Sequence, residues 1–294
     1  MQGFRSIGIA SVVLAAMLWG TTGTVQTLLP EGRDPLAVGA LRLIFGAAGL
    51  VLMALIQSAS RRGLLRLPLR GVFFAGVAIG GYNLFFFYAV TLAGVGIGTA
   101  VAIGSAPIWA TLWERFALGR RPGPLRLLGQ AVSVLGVGTL GYAGGGVEGA
   151  LLGVVLALMA GGCYAAYSLA TSSLSGQAPS TAIAAATFTV AAVVTAPVLF
   201  FVPLDWLAGS AAWSGLIFLG LGATALSYAL YTWGLMRVAA STAVTLALAE
   251  PVTAWLLASL VVAEPVTLQS VAGALMILAG LVVVTLVRDQ PRGG

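Results

Sequence analysis

The chain has 294 residues, of which 60% are hydrophobic and 7% charged, and its mean hydropathy is +1.05. Soluble proteins carry roughly 25% charged residues, and so few charges cannot cover a globule in water. Lys and His are absent and Cys163 is the single cysteine, which removes Schiff-base chemistry, His-based catalysis, internal disulfides and zinc ribbons.

A bilayer core about 30 Å thick takes about 20 apolar residues per helix. The apolar runs predict ten spans at about 6–28, 35–57, 70–91, 97–118, 125–142, 149–172, 179–202, 211–235, 239–262 and 267–287. The first begins beside Arg5 and is too long for a cleaved leader, so it reads as a retained helix. Stretches such as LAGLVVVTLV lack the alternation of a transmembrane barrel strand. The expectation is an all-α membrane protein with ten transmembrane helices.

An even number of spans places both chain ends on one side. That side collects Arg5, Arg61, Arg62, Arg66, Arg70, Arg115, Arg120, Arg121, Arg126, Arg237, Arg288 and Arg292. The other side collects Glu31, Asp34, Glu148, Asp205 and Glu264, with Arg33. Positive residues favour the cytoplasmic face, so both termini are expected in the cytoplasm of a bacterial cell, with the chain in the inner membrane. The arginines are dispersed over helix ends and not gathered on one motif, which argues against nucleic acid as a partner.

The sequence matches itself at an offset of 144: Pro35 with Pro179, Gly71 with Gly215, Phe74 with Phe218, Gly76 with Gly220, Pro107 with Pro251, Gly129 with Gly273 and Gly136 with Gly280. Each unit holds five spans, and five is odd. The second unit therefore enters the membrane from the opposite side, giving two inverted five-helix repeats, the plan of many secondary carriers. The units are expected at 1–144 and 145–294, joined by the glycine run Gly144 to Gly146.

The first unit contains LWGTTGTVQTLL and DPLAVGALRLIFGAAGL, and the second ends TAVTLALAEPVTAWLLASLVVAEPVTLQSVAGALMILAGLVVV. Over about residues 6–287 this resembles the duplicated ten-helix, EamA-type module of the drug/metabolite transporter superfamily. The aromatic residues of the first, third and sixth spans resemble those of bacterial aromatic amino-acid exporters in that superfamily. The resemblance implies a central cavity walled by Trp19, Tyr82 and Tyr164; a further cavity aromatic of those exporters falls at Ala106. The small multidrug branch has an essential acid in its first helix, whereas no acid lies between Arg5 and Glu31 here.

Glu250 sits mid-span between LALA and PVTAWLL. A carboxylate there must be paired, protonated or hydrated. It could hold a substrate ammonium, exchange a proton, or neutralise Arg42, and its repeat mate is Ala106. Arg42 lies about 10 Å inside the second span by helical rise; it could fork onto a carboxylate or brace a helix end. Pro107 and Pro251 are expected to bend their helices and to free the carbonyls of Ile103 and Ala247, which makes them candidate hinges. Tyr82, Asn83, Tyr164, Tyr228 and Tyr231 lie deep, and Ser227 and Tyr231 are the repeat mates of Asn83 and Phe87. Their polar tips need partners in the bilayer, which suggests a wet, aromatic cavity. Trp206, Trp213 and Tyr142 fall at span ends and are expected in the interfacial belt.

Asp34, Asp205 and Asp289 lie in loops or tails and form no aspartyl pair. No metal-ligand set or P-loop occurs. The expectation is no enzyme, cofactor or metal. It is a carrier, monomer plausible, whose partners are the lipid bilayer and a small-molecule substrate, foremost aromatic or other apolar amino acids. A multidrug or cationic-compound exporter and a lipid-scrambling or structural membrane protein are the alternatives.

Overall fold

The computed structural model describes residues 2–120, 122–142, 151–263 and 265–287. Arg121, Glu148, Glu264, Arg288, Arg292 and the expected unit boundary at Gly144 to Gly146 lie outside the described residues, as does the side chain of Tyr142.

The first repeat comprises α1 (Gln2–Thr27), α2 (Pro35–Ile56), a short connecting α3 (Ser58–Leu64), α4 (Leu69–Ala93), α5 (Val95–Phe116) and α6 (Pro124–Tyr142). The second comprises α7 (Leu151–Ser173), α8 (Ser180–Thr195), α9 (Ser210–Gly220) continuing through a π turn (Leu221–Leu226) into α10 (Ser227–Leu235), α11 (Ala240–Leu246), α12 (Ala249–Val261) and α13 (Leu268–Leu286). Nine helical stretches among the described residues are long and apolar enough to cross a bilayer. The tenth span is α6, which is less apolar because it carries Arg126 and Gln130.

Local chemistry fixes the ends. Asp34 caps α2 by accepting from the N–H groups of Leu36 and Ala37, with Pro35 at the first helical position. Thr267 and Ser270 form a reciprocal capping box on α13. One residue separates α4 from α5, and it is Gly94 at φ +79°, a left-handed conformation that reverses the chain without a loop.

The two repeats interlock. The first repeat's third span, α4, packs on α7 and α8, while the second repeat's third span packs on α1 and α2. The repeat mates α6 and α13 lie side by side. A methyl added at Gly136 would sit 2.8 Å from the Gly273 carbonyl oxygen, and one at Gly129 would sit 2.9 Å from that of Gly280. Gly129 and Gly136 are the mates of Gly273 and Gly280, so the pair of contacts maps onto itself with the helices antiparallel. Ser133 donates to the carbonyl of Ile277, its own mate, at 3.3 Å, which places the pseudo-two-fold axis there. Mates that run antiparallel are what an inverted repeat means. Arg5 donates to the carbonyls of Thr285 and Val287, so the two chain ends share one face of the bundle.

Two expectations are corrected. Trp206 is not a belt residue: it is buried, donates to the carbonyl of Pro203, and packs with Leu29, Val38 and Leu216 in a core at the loop end of the second repeat. The ninth span is not a single bent helix. It breaks between α11 and α12, and the Ala247 carbonyl accepts from the N–H of Glu250 at 2.9 Å in a tightened turn. That carbonyl thus already accepts one backbone hydrogen bond. Trp213 is half-exposed with its ring edge-on to Phe45.

Candidate functional site: a central cavity between the repeats

A cavity of about 960 Å³ lies between the halves. Its deep end is lined by Trp19, Tyr82, Asn83, Tyr164, Tyr228 and Glu250, with Arg42 and Ile103. From there it extends past Thr27 at the end of α1, Thr91 at the end of α4, Gly96 at the start of α5 and Thr267 before α13. All of these belong to the face opposite the chain ends, so the cavity is open on that side.

The deep wall is an aromatic cluster. The indole N–H of Trp19 donates to the hydroxyl of Ser227 at 2.9 Å. The Trp19 ring contacts Tyr164 edge-on, at 6.1 Å between centroids, and Tyr228 and Tyr231 at 4.7 and 5.1 Å. Tyr82 stacks on Phe86 at 5.6 Å and leans on Tyr164 at 5.4 Å. Such ring pairs add about 0.5–1.5 kcal/mol each beyond burial and hold the wall rigid.

One basic and one acidic side chain face this space. The Nε of Arg42 donates to the Thr224 hydroxyl at 3.3 Å, and Thr224 is presented by the π turn, bonded to the Leu219 carbonyl five residues back. The terminal guanidinium nitrogens make no hydrogen bond or ion pair among the described residues. The carboxylate of Glu250 is likewise unpaired there and borders the cavity. No ion pair links the two groups. The amide nitrogen of Asn83 is buried at the same end with no hydrogen-bond partner among the described residues.

The structure brings Trp19, Tyr82, Asn83, Tyr164, Tyr228, Glu250, Arg42 and Pro251 to the cavity, and it separates three residues from it. Ser227 is fully buried behind Trp19 and orients that ring. Tyr231 is fully buried and hydrogen-bonded to Ser168 at 2.8 Å. Their mates Asn83 and Phe87 do line the cavity. The π turn before Ser227 has no counterpart in α4, and it rotates the following helix relative to a regular α-helix. Pro107 lies inside the unbroken α5, below the cavity floor, with its carbonyl accepting from Gln130.

The sequence pattern of the EamA-like transporter family matches residues 6–142 and again residues 151–286. The chain belongs to that family. Two matches, one per repeat, coincide with the two structural units. The EamA-like chain is 36% identical over 274 residues to the uncharacterized transporter YwfM of Bacillus subtilis (strain 168), covering 93% of this chain and 92% of that one. It is 33% identical over 252 residues to the threonine/homoserine exporter RhtA of Escherichia coli (strain K12), covering 83% and 79% of the two chains. A solved crystal structure superposes with a TM-score of 0.83 at 24% identity, over 96% of this chain and 97% of that one, which establishes the shared fold. The protein is thus a multi-pass membrane transporter.

Sequence reading missed part of the EamA-like cavity. Phe86 and Trp255 line it, and Tyr167 and Phe188 back it with edge-on ring contacts at 6.0 Å. Tyr167 stands one helical turn after Tyr164, a spacing that was available as a signal. Glu114, Arg126 and Gln130 are buried below the cavity, where the sequence suggests only helix-end charge.

Proposed function

We propose that this protein exports amino acids by alternating access, holding the zwitterion between Arg42 and Glu250 with its side chain against Trp19, Tyr82 and Tyr164. The observation that carries this reading is one aromatic cavity faced by the terminal guanidinium nitrogens of Arg42 and the carboxyl group of Glu250, neither of which has a partner among the described residues. The guanidinium takes the carboxylate in two-pronged fashion, and Glu250 takes the ammonium. Aromatic or other apolar side chains suit the ring wall. The similarity to an exporter of threonine and homoserine supports amino acids as the class.

The arginine-rich face carries both chain ends and is assigned to the cytoplasm of a bacterial inner membrane. The cavity then opens outward, the state in which cargo is released, and a rocking of one repeat against the other loads it from inside. The chain acts as a carrier and not as an enzyme, with no cofactor, and its 1–144 and 145–294 units are the moving parts. Pro251, at the break in the ninth span, and Pro107 are the proposed bending points.

A multidrug exporter of cations is the second reading, favoured by Glu250 among aromatic rings. Arg42 in the same space disfavours it, since an unpaired guanidinium repels a lone cation. Purified protein in liposomes, given a panel of labelled amino acids including phenylalanine, leucine and threonine, with and without a proton gradient, is expected to exchange at least one of them. Flux of a lipophilic cation with none of any amino acid would replace this reading with the second. Lipid redistribution without solute flux would replace both.

A further inference from the structure

Below the cavity floor a polar network joins the two repeats. Glu114 of α5 and Arg126 of α6 are both buried, with 3.6 Å between Arg126 Nη2 and Glu114 Oε2. Ser241, at the start of α11 in the other repeat, donates its hydroxyl to Glu114 Oε2 at 2.5 Å and its backbone N–H to Glu114 Oε1 at 3.2 Å. Arg126 donates in turn to the Ser241 hydroxyl. One layer nearer the cavity, the Gln130 amide nitrogen donates to the Pro107 carbonyl and the Thr245 hydroxyl, at 3.3 and 3.0 Å, and its amide oxygen accepts from the Thr111 hydroxyl at 3.0 Å. From Ile103 in the floor to Glu114 is about 16 Å of helix at 1.5 Å per residue. The network is therefore the plug between the cavity and the face that carries the chain ends.

The repeat mates of these residues stand at the opposite face, and they are different in kind. Glu114, Arg126 and Gln130 correspond to Ala258, Ser270 and Ala274, and Ser241 and Thr245 to Ile97 and Val101. Ala258 and Ser270 line the open mouth. In an inverted repeat the two end states exchange the conformations of the two halves. The closed outer mouth must then be built from these small and apolar mates, with no ion pair among them.

We propose that Glu114, Arg126 and Ser241 form the inner gate of the carrier, and that their lack of charged mates makes the outward-open state the resting one. This rests on the alternating-access reading but not on the identity of the cargo. Breaking the latch removes an interaction that the opposite end state cannot replace. The population then shifts toward a closed mouth and an open floor.

The test is a distance across the mouth. Spin labels on T91C and V262C, in a C163S background and in nanodiscs without substrate, report from the ends of α4 and α12, which line opposite repeats of the mouth. The unaltered latch is expected to give a predominantly long distance. E114Q and S241A are each expected to move the ratio of short to long by about tenfold or more. A second arm does not depend on either variant folding: E114C/S241C, bridged by a short reducible thiol crosslinker, is expected to hold the long distance and to stop transport until reductant is added. Unchanged distances in folded E114Q and S241A, or full transport by the bridged carrier, would overturn the proposal. Because the distances are read without cargo, a wrong substrate assignment leaves the distance arm unaffected.

Discussion

The seam between α6 and α13 and the site between α2 and the ninth span were built from the same duplication, and they have diverged to different degrees. At the seam, glycine faces glycine on both sides of the axis, and Ser133 meets its own mate Ile277. At the site, Glu250 answers to Ala106, the broken ninth span to the unbroken α5, and the π turn to a regular stretch of α4. Close backbone packing is a property of the pair, so a change in one helix demands a change in the other. Ligand chemistry has no such constraint. A solute with two different ends is read better by an asymmetric cavity than by two copies of one residue.

The largest effects should come from breaking the symmetric part. Gly136→Val places a branched side chain against the backbone of Gly273 and Ile277, and Gly273→Val meets the backbone of Gly136 and Leu140. Overpacking costs about 1–3 kcal/mol in an adaptable core, and backbone cannot yield as a side chain does. Both variants are expected to lose the monodisperse folded species on size exclusion, to similar extents. Gly138→Ala, whose added methyl meets nothing within 4 Å among the described residues, should not lower the melting temperature. A destabilised Gly138→Ala beside a stable Gly136→Val would reverse the comparison.

Next come the asymmetric charges. Glu250→Gln and Arg42→Gln are each expected to leave a folded protein and to lower amino-acid exchange by about tenfold or more, since a charge-assisted hydrogen bond contributes about 1.5–3 kcal/mol. Equal exchange by wild type and Glu250→Gln in liposomes would remove that residue from the site. A smaller effect is expected behind the wall. Ser227→Ala deprives the buried indole N–H of Trp19 of its acceptor, at a cost of about 1–3 kcal/mol. Its signature is a lower melting temperature and a changed Trp fluorescence with exchange reduced only a few-fold. Trp213→Leu, at a half-exposed position that does not line the cavity, is expected to alter exchange least.

Hydrophobic runs made the spans and their number legible in the sequence, because a bilayer imposes length and apolarity directly. The offset of 144 made the inversion legible, because an odd number of spans per unit leaves no other arrangement. What stayed hidden were departures from regular helix. The π turn sent Ser227 and Tyr231 away from the cavity although their mates Asn83 and Phe87 face it. No spacing rule announces an extra residue in a turn whose sequence is LGATAL. Arg126 was hidden for a different reason. At a helix end an arginine that meets headgroups and one that is buried against Glu114 look the same in sequence. Trp206 was misplaced by the same logic, since position along a span does not say which way a ring turns.

The most direct measurement of the central claim is competition in liposomes among three solutes of one side chain: phenylalanine, its amine without the carboxylate, and its acid without the amine. A site that uses Arg42 and Glu250 together predicts that only the zwitterion competes well, with each truncated solute weaker by about tenfold or more. Equal competition by the amine and the zwitterion would show that the cavity reads a cation alone, and would contradict the account.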